Sequence, residues 1–125
     1  MKKKLISIIA PMHNEEFIVS EYCEQVLGAL ENLNHSYDFE LVLVDDGSID
    51  GTLACMHKMK EQFPDAITLV QLTRNFGLEA AISSGLKISS GDAVVVMDAD
   101  LQDPPNLLLE MIREWESGYL SLIHI

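Results

Sequence analysis

The segment VVVMDADLQDPP, residues 94–105, passes from an apolar run straight into three carboxylates, Asp98, Asp100 and Asp103. Like charges at this spacing repel, so a cation, a proton or water has to offset the repulsion. Asp98 and Asp100 stand two positions apart, which in extended chain aims both side chains the same way. Gln102 continues the series with a neutral oxygen. Carboxylates converging on one point suit a hard divalent cation with oxygen ligands. A solvated acidic turn is the plain alternative, because Asp-x-Asp arises by chance in acidic chains. The position at the end of a buried strand favours the metal. Asp103 falls on the opposite parity, just before Pro104 and Pro105, and fits the start of a helix.

Three more polar clusters stand out: PMHNEE (11–16), DDGSIDGT (45–52) and TRNFG (73–77). In the first, Pro11 and His13 can offer a rigid backbone and a flat ring to a nucleobase. Asn14 reads there as a helix cap, and Glu15 and Glu16 suit the positive end of a helix. In the second, a strand-to-helix turn accounts for Gly47, Ser48, Gly51 and Thr52, with Asp50 as its cap. That turn does not account for Asp45 and Asp46, of which only one can face a given side of the strand.

The elements that must position these clusters follow from periodicity. Apolar runs at 5–10, 39–44, 66–72 and 92–97 read as four strands. They alternate with helical patterns at 15–33, 52–63 and 77–88, and with a last helix that starts at Pro104 or Pro105. The first helix places Ile18, Tyr22, Val26, Leu30 and Leu33 on one stripe. The third carries small residues (Ala80, Ala81, Ser83, Ser84, Gly85) that allow close packing on a sheet. Almost wholly apolar strands separated by helices imply a parallel sheet with helices on both faces, a doubly wound α/β fold. Each polar cluster sits at the C-terminal end of a strand. In an open parallel sheet those ends share one edge, where ligands bind.

Composition sets the outer bounds. At 125 residues the chain is one domain long, and 48% apolar content excludes wholesale disorder. Eight basic residues against 20 acidic ones give a net charge of −12, which makes nucleic acid a poor partner. Lys2 to Lys4 form a solvated start too small to anchor a membrane. No apolar run approaches the roughly 20 residues that span a bilayer, and no secretory signal precedes Leu5. We therefore expect a cytoplasmic location, with Cys23 and Cys55 as reduced, half-buried helix residues. The four histidines (13, 35, 57 and 124) do not pair at metal-ligand spacing.

Taken in chain order, P-x-x-N-E-E, V-D-D-G-S-x-D-G-T, R-N-F-G and D-A-D-L-Q-D-P-P resemble the N-terminal part of family 2 inverting glycosyltransferases of the GT-A fold. The likeness is greatest to the polyprenyl-phosphate sugar transferases, dolichyl-phosphate mannosyltransferase and the undecaprenyl-phosphate enzymes, and covers roughly residues 4–118. The resemblance implies a Rossmann-like, nucleotide-diphospho-sugar transferase half-domain. It implies that Pro11, His13 and Glu15 line the nucleobase and ribose site. His13 stands where the family usually has Tyr, which leaves the base preference open. Val44 and Asp46 would contact the base or ribose, the backbone of Ala99 would approach the ribose, and residues 74–77 would shape the floor. Asp98 and Asp100, the catalytic pair, would hold Mg²⁺ or Mn²⁺ with Gln102 against a UDP- or GDP-sugar.

The implied reaction is sugar transfer to a polyprenyl phosphate at the cytoplasmic face of the membrane. We expect residues 1–118 to form the donor-binding part of the domain. LSLIHI (120–125) departs from the family pattern, and we expect residues 119–125 to be the non-native tail of a truncated reading frame, the other reading being a strand cut short. Two further readings compete: a non-catalytic nucleotide-sugar-binding fragment and a receiver-like signalling domain. The second fits poorly, because the acidic pair follows the second strand and no Lys follows residue 87.

Overall fold

The computed structural model describes residues 3–32, 36–98, 104–116 and 122–124. Strands and helices alternate: β1 (Lys4–Met12), α1 (Val19–Glu31), β2 (Tyr37–Asp45), α2 (Thr52–Gln62), β3 (Ile67–Gln71), α3 (Leu78–Ile88), β4 (Ala93–Val96), α4 (Pro104–Glu116) and β5 (Leu122–His124). The strands form one sheet in the order β3-β2-β1-β4-β5, with every pairing parallel. The chain builds outward from β1 on one side, then crosses to its other side, so the order reverses between β1 and β4.

Side-chain alternation sorts the core into two layers. Ile6, Ile8, Ala10 and Met12 of β1, with Leu41, Leu43 and Val95, face α1, α2 and α4. Ile9, Val42, Val44 and Val96 face α3 through Ala81. Both faces are therefore covered, which is why the central strands lack the polar alternation of a one-sided sheet. The small residues of α3 do what their composition predicts. A Cβ on Gly85 would come within 2.6 Å of the Ile9 side chain, so the helix lies hard against the sheet.

Element edges differ from the sequence reading in instructive ways. The first strand was expected to stop at residue 10, where its apolar run ends. It continues through Pro11 and Met12, paired with Val44 and Asp45. The first helix begins at Val19 rather than residue 15. The backbone N–H groups of Glu15 and Glu16 are taken instead by Thr52 Oγ1 at 2.7 Å and Asp50 Oδ2 at 3.4 Å. The sequence reading counted four strands, whereas residues 122–124 pair with Val94–Val96 as a fifth. Lys4, read as solvated, places its ammonium 5.5 Å from the Trp115 ring. Cys23 is fully buried and burial pushes its thiol up to about 12, whereas Cys55 is half-buried.

Candidate functional site

Three loops meet at the C-terminal edge of the sheet, after β1, β2 and β3, beside the chain leaving β4. The first two are stitched together. Asn14 N–H donates to Ser48 Oγ at 2.9 Å, and Ile49 N–H donates to Asn14 Oδ1 at 2.9 Å. This corrects the cap expected of Asn14: it sits in the left-handed region (φ 54°), well before the helix, and serves as a brace between loops. Asn tolerates that conformation better than most residues. Asp50 acts as expected, accepting from both the N–H (2.9 Å) and the hydroxyl (2.5 Å) of Thr52 at the start of α2. The Thr52 hydroxyl bond is the main reason its carboxyl is held below the ordinary range.

The third loop is held by Asp46. Its Oδ1 accepts from Phe76 N–H at 2.8 Å and its Oδ2 from Gly77 N–H at 3.1 Å, so both oxygens grip the start of α3. Asp45 turns the other way and accepts from Ser48 N–H at 3.2 Å. The alternation expected of the pair is kept, and both carboxylates are nearly shut off from solvent, at 2% and 5% exposed. Gly47 makes the junction possible. Its φ is +64°, and a Cβ there would sit 2.1 Å from the Arg74 carbonyl carbon.

His13 is fixed from both ring nitrogens. Nδ1 lies 2.8 Å from the Asp46 carbonyl oxygen, which can only accept, so Nδ1 carries the proton. Nε2 is then the acceptor, 3.2 Å from the side-chain amides of both Asn14 and Asn75. Asn75 also accepts from Gly77 N–H at 3.1 Å and so joins the ring to the start of α3. The sequence reading placed Asn75 only in the floor segment 74–77, and no spacing pairs it with His13, 62 positions away in the chain. Arg74 stacks on the Phe76 ring, its guanidinium carbon 4.5 Å from the ring centre.

These groups surround a cavity of about 360 Å³ at the point where the strand order reverses. Pro11, His13, Glu15, Asp46, Asn75 and Asp98 line it, so four of its walls come from four different strand ends. The structure therefore brings together five of the residues singled out from sequence: Pro11, His13, Glu15, Asp46 and Asp98. It does not bring Val44, which is fully buried in the layer beneath α3. Ala99, Asp100, Gln102 and Asp103 lie outside the described residues. Among the described residues no group of three His, Cys, Asp or Glu side chains is arranged to hold a metal. Asp98 is the described member of the expected ligand set, half-buried and lining the cavity. The donor chemistry fits a divalent cation, because Asp98 offers a carboxylate oxygen and Glu15 and Asp46 add negative charge to this cavity.

Comparison with known proteins agrees with this arrangement. The uncharacterized glycosyltransferase YkcC of Bacillus subtilis (strain 168) is 38% identical over 113 residues, 90% of this chain and 34% of the relative. The undecaprenyl-phosphate 4-deoxy-4-formamido-L-arabinose transferase of Pseudomonas syringae pv. syringae (strain B728a) is 38% identical over 116 residues, 93% of this chain and 34% of the relative. The chain thus spans about a third of the length of the curated relatives it matches. Among solved structures, the mannosyltransferase PcManGT of Pyrobaculum calidifontis, in complex with GDP-Man and Mn²⁺, superposes with a TM-score of 0.68 at 29% identity, over 90% of this chain and 32% of that one. Glucosyl-3-phosphoglycerate synthase of Mycobacterium tuberculosis, in complex with Mn²⁺, UDP and glucosyl-3-phosphoglycerate, gives 0.66 at 25% identity, over 92% and 40%. The family description Glycosyl transferase family 2 matches residues 7–124. With four motifs at four strand ends around one cavity, the chain belongs to glycosyl transferase family 2 and has the GT-A fold.

Proposed function

We propose that this chain forms the donor-binding part of an inverting glycosyltransferase that moves a sugar from a UDP- or GDP-sugar to a polyprenyl phosphate, assisted by Mg²⁺ or Mn²⁺. The observation that carries the reading is the cavity at the β1/β4 reversal, where His13, Glu15, Asp46 and Asp98 meet. The acceptor class draws on the relative named for undecaprenyl phosphate, and the donor class on solved neighbours holding GDP-Man or UDP with Mn²⁺. No described helix is long and apolar enough to cross a membrane. In this reading the site works at the cytoplasmic face, meeting its lipid acceptor there.

Each residue has a role in keeping with its surroundings. Pro11 and His13 border the nucleobase, with the ring held in one tautomer and one orientation. Glu15 takes the ribose hydroxyls as a hydrogen-bond acceptor. Asp46 has both oxygens committed to residues 76 and 77, so it fixes the floor beneath the base. Asp98, with Asp100 and Gln102, would hold the cation, and Ala99 would border the ribose. The cation supplies charge neutralisation of the departing nucleoside diphosphate. A polyprenyl phosphate oxygen is already anionic and attacks the anomeric carbon from the far side as the bond to the diphosphate breaks. Positioning and electrostatics then carry most of the rate enhancement.

Calorimetric titration of UDP-glucose and GDP-mannose, with and without Mn²⁺, tests the reading. Metal-dependent binding that is lost in Asp98→Asn and Asp100→Ala is the expected result. Binding that ignores Mn²⁺, or survives both substitutions, overturns the metal site. Binding without sugar transfer to a polyprenyl phosphate supports a nucleotide-sugar-binding role in place of catalysis.

A further inference from the structure

Tyr22 lies on α1, outside every motif of the site, and is almost completely buried. Its hydroxyl donates to the Met97 carbonyl at 2.9 Å. Met97 is the residue at which the chain leaves β4, and its own N–H donates to the Ile9 carbonyl of β1 at 2.9 Å. Met97 is thus held through its N–H by the central strand and through its carbonyl, which belongs to the peptide that joins it to Asp98, by a helix. The register of β4 with β1 ends at Ile9 and Val96, and the Met97 N–H makes the last bond to β1. The Tyr22 hydroxyl therefore takes over where the ladder stops, and the plane of this peptide sets the direction in which Asp98 departs. The phenol is also close enough to feel the cavity. Burial above all, and then the charges of Cys23, Asp98 and Glu15, hold its hydroxyl far above its ordinary range, so it remains a donor.

We infer that Tyr22 is a positioning residue for cation binding, aiming the Asp98 carboxylate into the cavity through its hydrogen bond to the Met97 carbonyl. The inference rests on the reading of Asp98 as a metal ligand. Tyr22 touches neither cation nor donor; it acts on the backbone one residue before the ligand. Groups that orient a metal ligand from outside the coordination shell commonly govern affinity by about 10- to 100-fold. A single neutral hydrogen bond acting through the backbone belongs at the lower end of that range.

The test measures Mn²⁺ affinity of the full chain by the electron paramagnetic resonance of free Mn²⁺, in the presence of UDP and, separately, of GDP. Wild type, Tyr22→Phe, Asp98→Asn and Ser7→Ala are compared, each with its thermal midpoint. Ser7 lies within β1 and lines no part of the cavity; it donates to Glu40 and accepts from Gly91 N–H. Ser7→Ala therefore reports what destabilisation alone does. We expect about tenfold weaker Mn²⁺ binding in Tyr22→Phe, wild-type affinity in Ser7→Ala and no binding in Asp98→Asn. Wild-type affinity in Tyr22→Phe, with binding lost in Asp98→Asn, overturns the inference and leaves the metal site standing. An equal loss in Ser7→Ala and Tyr22→Phe also overturns it, since stability then explains the effect. Absence of Mn²⁺ binding in the wild type overturns the metal site and this inference together. If the Phe variant does not fold, Tyr22→Met fills the same space without a hydroxyl and carries the same expectation.

Discussion

Replacing Asp46 with Ala tests whether this carboxylate is the fastening of the third loop. The substitution removes the acceptor of two backbone N–H groups, those of Phe76 and Gly77. Hydrogen bonds to a charged group contribute about 1.5–3 kcal/mol each, so the pair sets an upper range of about 3–6 kcal/mol. Both bonds are only part-buried, Gly77 N–H keeps Asn75 Oδ1 as an acceptor, and Phe76 is 48% exposed, so water can reach its freed donor. That recovery brings the expected loss to about 2–3 kcal/mol. With a urea slope of about 1.5 kcal/mol/M for a domain of this size, the midpoint falls by about 1.3–2 M. Asp46→Asn keeps one acceptor oxygen but turns an NH₂ group toward the second donor, and should lose about half as much. Urea unfolding followed by Trp115 fluorescence gives the midpoints, and amide exchange at Phe76 and Gly77 reports the loop itself. If Asp46→Ala unfolds within about 0.5 kcal/mol of wild type and both amides keep their protection, the fastening argument is wrong.

Two other outcomes follow from the same geometry. Gly47→Ala combines a left-handed backbone with a Cβ driven into the Arg74 peptide. We expect it to cost about 2–5 kcal/mol by unfolding titration, and a loss below 1 kcal/mol would mean that the loops part easily. The Tyr37 hydroxyl donates to Glu116, and burial first, then that hydrogen bond and the neighbouring charge, push it from 10.0 up to about 12. Because the folded state favours the protonated form, this contribution is complete below pH 10.0 and is lost as pH rises to about 12. Thermal midpoints of wild type and Tyr37→Phe should therefore converge across that interval, and a constant gap refutes the assignment.

The sheet was legible because the strands are buried on both faces and read as apolar runs, and because α3 carries its packing requirement in its small residues. Strand ends were less legible. Pro11 disguises two further residues of β1, since the ladder at its end tolerates a missing donor. Asn14 has the chemistry of a cap, and only the tertiary fold reveals that its amide serves a neighbouring loop instead. The grouping of His13, Glu15, Asp46 and Asp98 could be anticipated because strand ends of a parallel sheet share an edge. The tautomer of His13 and the grip of Asp46 could not, since both depend on backbone groups whose positions no side-chain pattern encodes. Val44 stands outside the cavity lining for a simpler reason. Sharing a strand face with Asp46 says nothing about depth, and this position lies one step deeper, beneath the helix.

The strand order has a consequence for how the cavity comes into being on a growing chain. β1 meets β2 soon after synthesis, through pairs such as Ile6 with Phe39, but meets β4 only once the chain has reached Ala93, the partner of that same Ile6. A nascent chain released as far as α3 already owns His13, Glu15, Asp46 and Asn75 together with all their mutual hydrogen bonds. It lacks only the wall that bears Asp98. One of the three carboxylate-bearing walls of the cavity is thus added last, to loops that precede it in the chain.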